Sequence, residues 1–296
     1  MGNTTTKQNK TMTAMDAFTE RVLKDLSKGV MPWEKDWFCS LPKNATTGKE
    51  YRGINILILS YLRAYKQFSC PAWLTFKQAS SLGGRIKKGE KAAEIVFYDI
   101  VTRKGEKSDA QGEAVIESFP LLKVYHVFNL DQTEGLESLK EKHTLKAVDP
   151  IEQGEKIMTE SGVNISFNGL DKAFYSPATD RITLPPRDSF KSTQGLYNTV
   201  FHELTHATGH SKRLNRNFST RFGSEAYAFE ELVAELGGSF LSSHIGLSYN
   251  SAHSSYIASW LKVLKDDKQA IIHAASHAQR AVDFLLKIEH EAKEPA

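Results

Sequence analysis

The segment that most constrains this chain of 296 residues is TQGLYNTVFHELTHAT, residues 193–208, with Gly209 directly after it. Tyr197, Val200, Phe201 and Leu204 recur at helical spacing and Gly209 supplies a stop, so the pattern predicts one helix over 193–208. Inside it stand His202, Glu203 and His206. Four residues along a helix advance the chain by about 6 Å and leave two side chains about 40° apart, so both imidazoles can converge on one ion. Glu203 sits beside them and can hold and deprotonate a water at that ion, the part played by Glu in an H-E-x-x-H arrangement.

A catalytic zinc takes three protein ligands and a water, so a third ligand is required. The metzincin pattern asks for a His six positions after His206, where this chain has Lys212. The gluzincin pattern asks for a Glu on a following helix, and EELVAELGG offers Glu230, Glu231 and Glu235. On a helical wheel Leu232, Val233, Leu236 and Phe240 share one arc, which is assigned to the core, while Glu231, Ala234, Glu235 and Gly238 lie opposite. Small residues there allow close approach to the His202 helix. Glu231 then reaches the ion, with Glu230 as the alternative, and Glu235 accepts the free N–H of a ligand His. The run Glu231 to Glu235 resembles the Glu-x-x-x-Asp ligand helix of gluzincin peptidases, with Glu in place of Asp. Zinc suits two His and one carboxylate, and manganese or cobalt fits the same ligands. His210 falls where it can meet the helix C-terminus, and His244, His253, His273, His277 and His290 lack ligand spacing to the motif.

Charge divides the chain. Residues 1–130 hold 20 Lys+Arg and 13 Asp+Glu, a balance of +7, and residues 131–296 hold the remaining 18 and 22, a balance of −4. A basic half suits a polyanion, whereas an acidic half with most of the His suits metal chemistry. Between them, residues 131–150 contain no aromatic residue and read as a linker or a short exposed helix. The expected organisation is therefore α+β with two domains: 1–130 for nucleic acid, 131–150 as linker, and a mainly helical 151–296. In the first half, MDAFTERVLKDLSKG and INILILSYLRAY read as helices and AWLTFKQASSLGG as a short helix. AEIVFYDIVT and PLLKVYHVFNL read as strands of a hairpin whose long loop is the polar stretch between them. In the second half DRITLPP supplies a strand that Pro185 must end or confine to an edge.

Cys39 and Cys70 cannot form a disulfide framework, and no apolar run approaches a bilayer span. A cytoplasmic protein with no membrane partner is expected.

The basic half interleaves rings with cations: Trp33, Lys49, Tyr51, Arg52, Trp73, and the turn carrying Arg85, Lys87, Lys88 and Lys91. Bases of single-stranded DNA can stack on such rings while the cations meet phosphates. Each ring can also be a core residue, and the basic turn a solvated one.

PWEKDW, PKNATTGKEYRGIN, WLTFKQA and GGRIKKGEKAAEIVFY resemble the N-terminal domain of ArdC-type antirestriction proteins, a domain associated with single-stranded DNA binding. From YSPATDRITLPP through FHELTHATGHSKRL to YAFEELVAELGGSFL, the chain resembles their zincin-like metallopeptidase domain. The resemblance covers about residues 20–245 in the family's order. It implies a protein of conjugative plasmids that protects incoming DNA from restriction and identifies no cleaved substrate; the leading hypothesis adds a host protein or restriction-system component that the metal site acts on or engages. Two other functions stay open: a DNA-binding shield whose metal is not catalytic, and a zinc peptidase whose basic domain recruits protein.

Overall fold

The computed structural model describes residues 16–33, 40–108, 114–143, 149–168, 172–216, 224–250 and 256–288, with the backbone alone at 98–122. Trp37 and Cys39 lie outside them, as do His253 and His290.

Helix α1 occupies 16–26 and buries Phe18, Val22, Leu23 and Leu26, the apolar positions of its helical period. Residues 43–44 form the short strand β1, and α2 runs Ile54–Tyr65. In AWLTFKQASSLGG only the second part is helical. Ala72–Thr75 form strand β2, and α3 begins at Phe76 and ends at Ser81. The switch is local, because the Thr75 side chain accepts from Gln78 N–H while the Gln78 side chain accepts from Thr75 N–H, a reciprocal cap that starts a helix there.

After β3 (Arg85–Ile86), strands β4 (Ala93–Ser108) and β5 (Ala114–Asn129) form the expected hairpin. The loop is much shorter than its polar composition suggests, since pairing continues from Ala93↔Val127 out to Ser108↔Ala114 with one irregularity after Lys104. Ladder bonds are made by the backbone, so a polar sequence can carry them. The sheet order is β1-β2-β5-β4. Residues 133–134 (β6) pair with β3, and α4 spans Glu137–Lys142 without a buried residue.

The second half opens with α5 (Pro150–Glu160), capped by the Asp149 carboxylate. Strands β7 (Asn164–Phe167), β8 (Phe174–Ser176) and β9 (Arg181–Leu184) make a sheet of order β7-β9-β8. Pro185 ends β9, which lies in the middle of that sheet rather than at an edge. Helices α6 (Thr193–Thr208), α7 (Glu225–His244), α8 (Ile257–Asp266) and α9 (Ala270–Leu285) complete the body. Helix α7 is buried at every position from Glu230 to Ser243, with α6 packed on it as well as α8 and α9.

One hydrophobic core joins α1, Trp33 and α2 of the first half to α5 through α9 of the second. Polar contacts follow the same seam: Thr19 Oγ1 donates to Lys268 O at 2.9 Å, Gly53 N–H to Gln279 Oε1 at 2.8 Å, and Arg52 pairs with Asp283. Two smaller clusters lie around β2 and the root of the hairpin.

Candidate metal centre

Helix α6 spans the predicted residues and its start is capped by the Ser192 hydroxyl. Gly209 ends it at φ −75° in right-handed geometry, so the stop comes from the turns that follow and not from a left-handed glycine. Those turns return Leu214 N–H to Thr208 O and Arg216 N–H to Gly209 O.

The approach of α6 to α7 is set by Gly237, where a Cβ would stand 2.4 Å from Thr205 Cγ2. Only a residue without a side chain permits this spacing. Gly238 instead faces Tyr249. Leu232, Val233, Leu236 and Phe240 are fully buried on α7.

At this spacing one ligand atom each from His202, His206 and Glu231 lies within 4.8 Å of the others. The Nε2 atoms of the two histidines are 3.2 Å apart, and Glu231 carboxylate oxygens lie 3.6 Å from His202 Nε2 and 3.5 Å from His206 Nε2. Tetrahedral ligands about 2.1 Å from an ion stand about 3.4 Å from one another. Two imidazole nitrogens and a carboxylate at this spacing fit a divalent metal.

The outward nitrogens are engaged by carboxylates. His202 Nδ1 lies 3.4 Å from Glu235 Oε1, and His206 Nδ1 lies 3.2 Å from Glu230 Oε1. Each carboxylate favours a proton on Nδ1, which leaves Nε2 with its lone pair toward the shared point. Glu230 thus points away from Glu231, toward the back of His206, where Arg216 holds it through Nε and Nη2 at 3.1 and 2.8 Å. Arg216 also donates to Thr208 Oγ1 and Thr205 O, which ties the carboxylate to the end of α6. The partnership of Glu230 with Arg216 and the nearness of Tyr249 OH to His202 Nδ1 (3.5 Å) have no signal in the sequence.

Burial disfavours charge on His206, yet the carboxylates of Glu230, Glu231 and Glu203 outweigh it and raise its pKa to about 9. Burial likewise opposes charge on Glu231, but both histidines and a hydrogen bond from Tyr227 hold its carboxyl well below the usual range. Without an ion, a proton on His206 balances the acidic cluster. Glu203 is buried next to His202, and the hydroxyls of Tyr227 and Tyr256 meet at 3.1 Å nearby. His210 lies 3.8 Å from Asp180 and is not gathered into the cluster.

The residues expected at DNA are dispersed. Trp33 is 0% exposed, edge-on to Trp260, and its carbonyl accepts from Ser239, so it packs against α7. Trp73 is 1% exposed beneath α2, in contact with Leu59 and Val127. Neither ring can offer a face to a base; the core reading applies to both. Tyr51 is half-buried and Arg52 is engaged by Asp283. Lys49 is exposed, and of the basic turn Arg85 pairs with Glu134 at 2.5 Å and Lys87 donates to Asp131 O, while Lys88 and Lys91 are exposed. No helix among the described residues is long and apolar enough to cross a membrane.

Residues 152–277 match the family model of a zincin-like metallopeptidase, and residues 12–128 match that of the N-terminal domain of anti-restriction factor ArdC. Fold and site define a two-domain α+β protein that joins these two modules on one chain. It belongs to the ArdC family of antirestriction proteins. The crystal structure of antirestriction protein ArdC from plasmid R388 in its metal-free form is 37% identical with a TM-score of 0.77, covering 92% of this chain and 96% of that one. Its Mn(II)-bound form is 36% identical with a TM-score of 0.76 and covers 92% and 97%. The uncharacterized protein y4eC of Sinorhizobium fredii is 33% identical over 270 residues, 89% of this chain and 87% of y4eC. Two DNA primases named TraC from Escherichia coli are 36% and 34% identical, and this chain spans only 20% and 27% of their length.

Proposed function

We propose that this chain is an antirestriction protein of a conjugative plasmid, acting in the cytoplasm, which binds incoming single-stranded DNA with its first half and works as a metallopeptidase with its second. The convergence of His202, His206 and Glu231 beside Glu203 carries the peptidase reading. Zinc is the proposed ion, since three ligands at tetrahedral spacing leave a fourth position open. Manganese fits the same donors, and the R388 relative has been crystallised with Mn(II). When bound, the ion supplies Lewis acidity, which polarises a peptide carbonyl and acidifies water.

The chain's own residues do the rest. Glu203 accepts the proton of the attacking water and passes it to the leaving amine. Glu235 and Glu230 hold the two imidazoles in the tautomer that presents Nε2. The substrate is proposed to be a host protein, with a restriction-system component as the first candidate.

Glu203→Gln tests this, because it removes the base and leaves the three ligands in place. The variant is compared with wild type for ion content, binding of single-stranded DNA, and protection of DNA during transfer into a restricting host. Loss of protection by a folded, metal-loaded, DNA-binding variant supports hydrolysis. Full protection by the variant refutes it and leaves the protein a DNA-binding shield.

A further inference from the structure

We infer that the bases of single-stranded DNA stack on the β4–β5 ribbon at Phe97 and Tyr125, with Lys123 completing the surface. This rests on the single-stranded DNA reading above and says where the strand lies.

In the ladder Ala93 pairs with Val127, Ile95 with Tyr125 and Phe97 with Lys123, so all six project from the same face of the ribbon. At the root that face is covered: Ala93, Ile95 and Val127 are buried with Trp73 beneath Leu59 of α2. The cover ends at the Ile95–Tyr125 pair. Phe97 and Tyr125 are each 42% exposed, and Lys123 is exposed beside them. The two rings stand 6.1 Å apart at 88°, so one lies edge-on against the other. Alternation explains Ile95 as core, but core packing does not explain two large rings left open to water, Tyr125 beside it and Phe97 one step beyond.

Among the described residues the other face carries Glu94 beside His126, at 3.4 Å from each other. A polyanion is therefore drawn to the face that holds Lys123 and the rings. The ring site is also held in place. The Asn55 side chain of α2 donates to Val96 O at 2.7 Å and accepts from Val96 N–H at 2.9 Å, clamping the outer edge of β4 one residue before Phe97. Stacking on exposed rings requires unpaired bases, which selects a single strand over a duplex.

The test uses the full chain and a labelled oligo(dT) of about 20 nucleotides, longer than one binding site, followed by fluorescence anisotropy over a range of salt. Phe97→Ala with Tyr125→Ala is expected to weaken binding by about tenfold or more. Phe97→Trp is expected to retain it. Lys123→Gln should lower the slope of log affinity against log salt by about 0.7, the value for one phosphate contact on a single strand. Ion content and melting temperature verify folding. If the double alanine variant does not fold, Lys123→Glu, at an exposed position, carries the test and must weaken binding. Wild-type affinity in the folded double alanine variant overturns the assignment while leaving DNA binding intact, as does a duplex that competes as well as the single strand. Failure of the wild type to bind oligo(dT) overturns the DNA reading itself and this inference with it.

Discussion

Replacing Gly237 by Ala probes the contact on which the whole centre depends. The new methyl carbon would lie 2.4 Å from Thr205 Cγ2, 2.6 Å from Oγ1 and 3.1 Å from Cβ. Thr205 has little freedom to move aside, because it is fully buried and its hydroxyl donates to Phe201 O at 2.7 Å. Relief must come from separating α6 and α7 by about 1 Å, the shortfall from ordinary carbon–carbon contact. Overpacking of a filled core costs about 1–3 kcal/mol. The better helix propensity of Ala returns about 1 kcal/mol. A net destabilisation of up to about 2 kcal/mol follows, seen as a melting temperature lower by up to several degrees. The same separation draws Glu231 away from both imidazoles, so affinity for a divalent ion should fall by about tenfold. Differential scanning calorimetry of ion-free protein and a chelator competition titration read the two effects separately. Adding Thr205→Ala removes Cγ2 and Oγ1, so the double variant should recover part of the loss, with a coupling of about 1 kcal/mol. A Gly237→Ala protein that melts at or above the wild-type temperature and holds its ion as tightly would refute the reasoning.

Metal analysis should find that His202→Ala and Glu231→Ala lose the ion, while Glu230→Ala keeps it with affinity reduced about 10- to 100-fold, as for loss of a partner behind a ligand; retention by the first two with loss by the third would reverse the roles of the adjacent glutamates. The ion-free protein should become less stable as pH rises. The His206 pKa is raised in the native state from 6.5 to about 9, so its stabilisation is complete below about pH 6.5 and disappears as pH passes through 9. Melting curves across that window check the sign, and a loaded protein, in which the ion takes the proton's place, should lack this decline. Metal binding near pH 7.5 should correspondingly release protons, measurable by calorimetry in buffers of different ionisation enthalpy.

Local pattern determined much of this protein. The helical period around His202 and His206, the cap at Ser192 and the apolar arc of α7 are short-range features, and helix formation depends on short-range terms. The charge split and the hairpin are legible for the same reason, although the polar composition of the ribbon's outer part concealed its pairing. Tertiary structure decided what lies next to what. Trp33 and Trp73 have the composition of a stacking surface, but burial depends on distant partners, and α7, Trp260 and α2 cover them. Glu230 and Glu231 are adjacent and chemically alike. The rotation of about 100° between successive helix residues directs one behind His206 to Arg216 and the other toward the two Nε2 atoms. That rotation acquires meaning only when α6 lies against Gly237, a close approach between segments some 30 residues apart that the sequence of either helix alone does not specify.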